Sequence, residues 1–77
     1  AGRRADDVGA LTPRQREVLL LIARGLSNSE IEAELGITRA TCRSHITALL
    51  ARLGARDRAQ LVIAAYEAGL ISPHRGA

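Results

Sequence analysis

The sequence predicts an all-α domain of four short helices, and two observations support this. Apolar residues recur at offsets of three, four, seven and eight, which fit a helix on a core and not a strand. Each apolar segment is followed by a glycine, the residue at which helices commonly end in the left-handed conformation: Gly25, Gly36, Gly54 and Gly69. The chain has 77 residues and one cysteine, so we expect one small domain without an internal disulfide.

The first two helices are predicted from their start signals. Thr12 precedes Pro13, and Gln15 follows three residues after the threonine, so an N-cap, a proline at the first helical position and a capping box coincide. Ser27 and Glu30 have the spacing of a second capping box. The residues expected to face the core are Val18, Leu19, Ile22 and Ala23 in the first helix and Ile31 and Leu35 in the second.

The third and fourth helices begin at further caps. Thr38 is expected to cap a helix over residues 39–53, and Asp57 with Gln60 to form a capping box for the last helix. Pro73 prevents that helix from continuing. The inward positions are predicted to be Cys42, Ile46, Leu49, Leu50 and Leu53 in the third helix and Leu61, Val62 and Ala65 in the fourth.

Composition narrows the class of protein. The net charge is +3 and every basic residue is arginine, which donates paired hydrogen bonds to phosphates and guanine edges. Tyr66 is the only aromatic residue, which argues against a protein that reads single-stranded DNA or RNA.

The sequence shows no motif typical of an enzyme. We find no nucleophile–base arrangement, no glycine-rich phosphate-binding loop and no metal-ligand spacing, so we expect no enzyme activity and no cofactor. Because the sequence shows no apolar span and no signal peptide, we expect a cytoplasmic protein. We expect a linker over residues 1–10, a domain over 11–71 and a flexible tail over 72–77.

The spacing between the second and third helices is the most informative feature. Leu35 ends one helix, Gly36 and Ile37 follow, and Thr38 caps the next, so three residues connect the pair. Because so short a turn makes the helices cross steeply, residues 27–53 are predicted to form a helix-turn-helix, which places its second helix in the major groove of DNA.

Charge on the third helix agrees with this prediction. Its basic residues are Arg39, Arg43 and Arg52, and it carries no acid. Ser44 and Thr47 lie with the first two arginines opposite the apolar stripe, where a recognition helix meets base edges. An exposed polar face on a helix is otherwise simply solvated, and the short turn is what favours DNA binding.

Several segments are similar to a known family. They are LTPRQREVL at 11–19, GLSNSEI at 25–31, LGIT at 35–38 and TCRSHI at 41–46. These segments resemble LuxR-type helix-turn-helix domains, which occur in NarL/FixJ response regulators and in quorum-sensing regulators. The resemblance implies a C-terminal effector domain that binds DNA as a dimer, under the control of an N-terminal receiver or ligand-binding domain.

The resemblance also assigns roles to residues. It implies that bases are contacted by Arg43, Ser44 and Thr47. We expect phosphates to be contacted by four further residues: Asn28, Thr38, Arg39 and Thr41. The expected partners are double-stranded DNA and a second copy of the chain, with RNA polymerase as a candidate third. Two alternatives remain open: an interaction module that has lost DNA binding, and a promoter-recognition domain of a sigma factor.

The chain departs from the family pattern around the turn. Ser29 and Thr47 stand where members often have a basic residue, and Glu32 stands where alanine is usual. The second helix thus holds three glutamates and no base: Glu30, Glu32 and Glu34. Because carboxylates repel phosphate, we expect weaker non-specific DNA binding than a typical member shows. We also expect Glu32 to pair with Arg39 or Arg43.

Two residues of the third helix could be either structural or functional. Cys42, where the family usually has valine, is predicted to be a buried small residue, since a redox switch would need exposure. His45 is expected to be hydrogen-bonded between core and backbone, with a phosphate contact as the alternative. The only other histidine is His74, so a metal site is not expected, and Asp6 and Asp7 are interpreted as solvated linker residues.

The fourth helix has a second apolar stripe, formed by Ala59, Ile63 and Tyr66 at offsets of four and seven. A small domain needs one inward stripe, so the second predicts a partner helix. In the family that the chain resembles, the last helix mediates dimerisation. The alternative is that Ile63 and Tyr66 are ordinary exposed apolar residues.

Overall fold

The fold is known from a computed structural model that describes residues 8–71 of the chain. Four helices follow one another: α1 over Pro13–Ala23, α2 over Asn28–Leu35, α3 over Arg39–Leu53 and α4 over Arg58–Glu67. No strand occurs within residues 8–71. The predicted all-α, four-helix fold is therefore confirmed.

Three of the predicted helix starts form as expected. In α1 the hydroxyl of Thr12 accepts from the Gln15 amide at 3.1 Å, and the Gln15 side chain accepts from the Thr12 amide at 3.0 Å. Ser27 and Glu30 make the same reciprocal pair in α2. Thr38 caps α3 by accepting from a backbone amide in its first turn. These caps fix where each helix begins, because they satisfy amides that have no partner within the helix.

The predicted capping box at the start of α4 is wrong in one of its two bonds. Asp57 Oδ1 accepts from the Gln60 amide at 3.1 Å, as expected of an N-cap. The side chain of Gln60, however, accepts from the amide of Arg56 at 2.7 Å and not from that of Asp57. The backbone of Asp57 is more extended than that of the other three N-caps, with φ −155° against −67°, −75° and −77°.

The core lies where α1, α3 and α4 meet. Helix α1 packs against both α3 and α4, and α2 packs mainly against α3. The fully buried side chains come from all four helices, and the largest are Val18, Leu19, Ile22, Ile31, Cys42, Leu49 and Leu61. Leu35, Ile46, Leu50 and Val62 are half-buried and pack at the edge of this core. Ala64, which the pattern did not assign to the core, is buried in α4.

The segment before α1 also packs on the core. Val8 and Leu11 are buried, and the guanidinium of Arg16 donates to the Val8 carbonyl at 3.4 Å. The last part of the predicted linker over 1–10 therefore contributes apolar burial to the domain. The expectations for Asp6, Asp7, Pro73, His74 and the tail over 72–77 lie outside the described residues. Within the described part of the chain, no helix is long and apolar enough to cross a membrane.

Candidate nucleic-acid interface

The connection between α2 and α3 has the predicted short form. Gly36 ends α2 in the left-handed conformation, with φ 64° and ψ 38°. A Cβ on this glycine would meet no other atom within 4 Å, so it is the backbone angle that requires glycine here. The amide of Ile37 donates to the carbonyl of Glu32 at 3.1 Å, and the Ile37 side chain packs against the core. Together these contacts fix the direction in which α3 leaves the turn.

Two of the predicted phosphate contacts lie together at the N-terminus of α3. The hydroxyl of Thr38 accepts from the Thr41 amide at 3.1 Å and donates to the Thr41 hydroxyl at 3.0 Å. Both side chains are exposed. Because Thr41 accepts from its neighbour, its own hydroxyl proton is free to point outward. The helix start can thus offer a hydroxyl donor and free backbone amides to an anion.

The outward face of α3 is polar, and apart from its arginines its side chains are short. Arg43, Ser44 and Thr47 are exposed and line a shallow depression together with the small residues Ala40, Ala48 and Ala51. Within the described residues, neither Arg39 nor Arg43 forms an ion pair, so both guanidinium groups are available to a ligand. A face with short side chains and unpaired arginines can approach a groove closely and donate hydrogen bonds to its floor.

The expected pairing of Glu32 with Arg39 or Arg43 does not form. Glu32 is instead half-buried on the side of α2 that faces α3, close enough to Cys42 to act on its thiol. The prediction for Cys42 is confirmed, because its side chain is 1% exposed. Burial raises the pKa of this thiol, Glu32 raises it further, and Arg58 acts in the opposite direction. A buried thiol with a raised pKa is a poor nucleophile.

The acidic helix presents fewer free carboxylates than its sequence suggests. Glu30 uses Oε1 to accept from the Ser27 amide at 2.7 Å, at the positive end of the α2 dipole. Glu32 is half-buried and Glu34 is exposed. The carboxylates of α2 therefore occupy three different environments.

Asn28, the remaining predicted phosphate contact, is exposed at the first position of α2. The guanidinium of Arg58 in α4 donates through Nη1 to Asn28 Oδ1 at 2.6 Å and through Nη2 to the carbonyl of Leu26. The sequence analysis missed Arg58. No local signal in the sequence could have revealed it, because its two acceptors lie 30 and 32 positions earlier in the chain.

His45 is half-buried beside the outward polar face of α3. Among the described residues, its side chain makes no hydrogen bond, so the expected bond between core and backbone is not present. The reason is that neighbouring backbone carbonyls are used within the helix and no polar side chain reaches the ring. The described residues also contain no group of three or more His, Cys, Asp or Glu side chains placed to hold a metal ion.

The second stripe of α4 is exposed, as its spacing predicted. Ile63 is 52% exposed and Tyr66 is 38% exposed, and in the described part of the chain they are the large apolar side chains that face solvent. Ala59 is exposed one turn before Ile63, on the same side of the helix. The apolar surface of the domain is thus concentrated on one helix face.

The short turn and the basic outward face of α3 define a helix-turn-helix domain of the DNA-binding class. A sequence model described as bacterial regulatory proteins, luxR family, matches residues 9–65. The chain is 44% identical over 69 residues to the response regulator protein VraR of Staphylococcus aureus and to that of Staphylococcus epidermidis. The chain belongs to the luxR family of bacterial regulatory proteins, which are DNA-binding transcription regulators. The match covers 90% of this chain and 33% of each relative, so the chain spans about a third of their length.

Proposed function

We propose that this chain is the effector domain of a response regulator, and that it binds specific sequences in double-stranded DNA through α3. The observation with most weight is the outward face of α3, where unpaired arginines flank short polar side chains. The response-regulator assignment comes from the VraR relatives, whose additional length leaves room for a controlling receiver domain. Residues 11–71 form the proposed domain.

In this proposal α3 lies in the major groove. Arg43, Ser44 and Thr47 contact base edges, because they share the exposed face of the helix. The phosphate contacts are made by side chains at the starts of α2 and α3: Asn28, Thr38, Arg39 and Thr41. This division separates residues that give sequence preference from those that give affinity.

Dimerisation through α4 is the second part of the proposal. Ala59, Ile63 and Tyr66 of one copy would pack against the same residues of another, in an isologous interface. Two recognition helices related by that symmetry would read two half-sites of a near-palindromic operator, with their spacing set by the interface. RNA polymerase is a further candidate partner for the DNA-bound dimer.

Selection from a random duplex pool tests the base-reading assignment. The wild type should enrich one near-palindromic sequence, and Arg43→Ala should lose preference at one base pair in each half-site. Arg24→Ala, which removes an exposed arginine outside the helix-turn-helix, is the matched control and should select the wild-type sequence. If Arg43→Ala also selects that sequence with equal stringency, α3 does not read bases through Arg43.

A second candidate function is a protein-interaction module without DNA binding. Its support is the acidic α2, because the exposed Glu34 and the carboxylate of Glu30 both lie on the helix beside α3. Under this alternative no duplex is enriched from the pool, although the chain is folded and self-associates. Restoration of binding by Glu34→Gln would trace that failure to the carboxylate.

A further inference from the structure

Arg58 connects the helix that carries the exposed apolar stripe to the start of α2. It occupies the first position of α4, and its side chain is half-buried while most other arginines in the described part are exposed. The two ends of its guanidinium reach different acceptors, Asn28 Oδ1 at 2.6 Å and the carbonyl of Leu26. The forked group therefore holds both a side chain and the backbone of the segment that leads into α2.

This contact determines which way the Asn28 amide points. Arginine has only donors, so the atom of Asn28 that faces Arg58 must be the oxygen. The Nδ2 group then lies on the opposite side, and because Asn28 is exposed it is presented to solvent at the start of α2. An unrestrained asparagine amide would turn freely about its last torsion and would present oxygen or nitrogen in either direction.

We propose that Arg58 is a positioning residue that orients Asn28 to donate to a DNA phosphate. This inference rests on the proposed function, in which Asn28 is a phosphate contact. Arg58 itself is turned towards α2 and does not contact the phosphate.

A double-mutant cycle on duplex affinity tests this role. Arg58→Ala and Asn28→Ala should each weaken binding by about tenfold, the order expected for a hydrogen bond to a charged group. The double variant should bind no more weakly than Asn28→Ala alone, and the slope of log affinity against log salt should stay at its wild-type value in both. Arg56→Ala, which removes an exposed arginine two residues away, is the matched control and should have little effect on affinity.

A direct contact between Arg58 and phosphate would give a different result. If Arg58→Ala weakens binding equally in the Asn28→Ala background and lowers the salt slope, Arg58 contacts phosphate itself and the positioning role is wrong. Arg58→Lys keeps the charge but cannot donate to two acceptors with the forked geometry of a guanidinium. It therefore tests the positioning role even if Arg58→Ala fails to fold. We expect it to behave like Arg58→Ala in affinity while it unfolds at a temperature close to that of the wild type.

A measurement without DNA separates this inference from the proposed function. NMR relaxation of the Asn28 side-chain amide should report an ordered group in the wild type and in Arg56→Ala, and a mobile one in Arg58→Lys and Arg58→Ala. Equal order in all four proteins would overturn the positioning role whether or not the chain binds DNA. If the amide behaves as expected but no duplex is bound, the proposed function fails while the orientation of Asn28 by Arg58 stands.

Discussion

The outward faces of α3 and α4 differ in what they can bind. The face of α3 is built from Arg43, Ser44 and Thr47 beside alanines, and it has hydrogen-bond donors and positive charge but little apolar bulk. The face of α4 presents Ile63 and Tyr66 and has no charge within its stripe. Interactions of the first face should weaken strongly as salt rises, while those of the second should change little.

This difference shows how one small core can support two separate functions. Both helices bury one stripe in the core, where Leu49 of α3 and Leu61 of α4 are fully buried, and each keeps its opposite side exposed. A substitution on one outward face should therefore leave the other face and the core intact. Two substitutions, Ile63→Asp and Thr47→Arg, test that independence.

Ile63→Asp should have the largest effect, and it should act on association alone. A charge in the centre of the apolar interface should weaken the dimer by about 2 kcal/mol or more. Thermal stability of the monomer should change little, because Ile63 is half exposed. Analytical ultracentrifugation with and without a two-site duplex measures the effect, and Ile63→Leu is the apolar control. A dimer that persists in Ile63→Asp would remove α4 from the interface.

Thr47→Arg should strengthen binding to random duplex DNA without affecting the dimer. The added guanidinium extends the positive charge on the exposed face of α3. One further phosphate contact should steepen the slope of log affinity against log salt by about 0.9. Thr47→Val, which removes the hydroxyl without adding charge, should leave the slope unchanged. An unaltered slope in Thr47→Arg would mean that a guanidinium at this position does not reach a phosphate, and the expected gain in affinity would then be wrong.

The elements of this fold were predictable because each is marked locally. Thr12, Ser27 and Thr38 cap helices by bonds within three residues, and Gly36 stops one by its own backbone angle. Local signals of this kind are fully contained in the sequence. The exposed positions on α3 follow from the same periodicity, and that is why the five proposed DNA contacts on this helix lie at the surface.

Long-range side-chain contacts were not predictable in the same way. Arg58 and Asn28 are 30 positions apart, and no sequence period relates them. The expected pair between Glu32 and Arg43 failed because α2 turns Glu32 towards the core and α3 turns Arg43 away from it. Helix packing decides such contacts, and the amphipathic pattern fixes a face without fixing which side chains meet across it.

Gly36→Ala should destabilise the domain by about 1–2 kcal/mol, because an L-residue in the left-handed conformation is strained. Its φ is 64°, and an added Cβ would meet no neighbouring atom, so the loss arises from the backbone alone. Gly9→Ala is the matched control, since that site is equally open and has no left-handed φ. Urea unfolding should show the loss for Gly36→Ala only. Equal effects at both sites would mean that the turn tolerates other angles.

Cys42 should give the smallest effect, a dependence of stability on pH in the alkaline range. Burial raises the pKa of the folded thiol above its ordinary value of 9.0, so the unfolded chain loses this proton first. The free energy of unfolding should then fall as the pH rises above 9.0. Cys42→Val should remove this part of the dependence in a Tyr66→Phe background, which eliminates the phenol. Identical pH profiles for cysteine and valine would mean that the thiol ionises as easily in the fold as outside it.

The most direct test of the account is fluorescence anisotropy of the chain on random duplex DNA across a salt series. The account predicts an affinity whose logarithm falls linearly with the logarithm of the salt concentration, with a slope that counts the neutralised phosphates. We also expect a shallower slope for Arg39→Ala, which removes a proposed phosphate contact, and an unchanged slope for Arg24→Ala. A folded chain that binds no duplex even at low salt would contradict it.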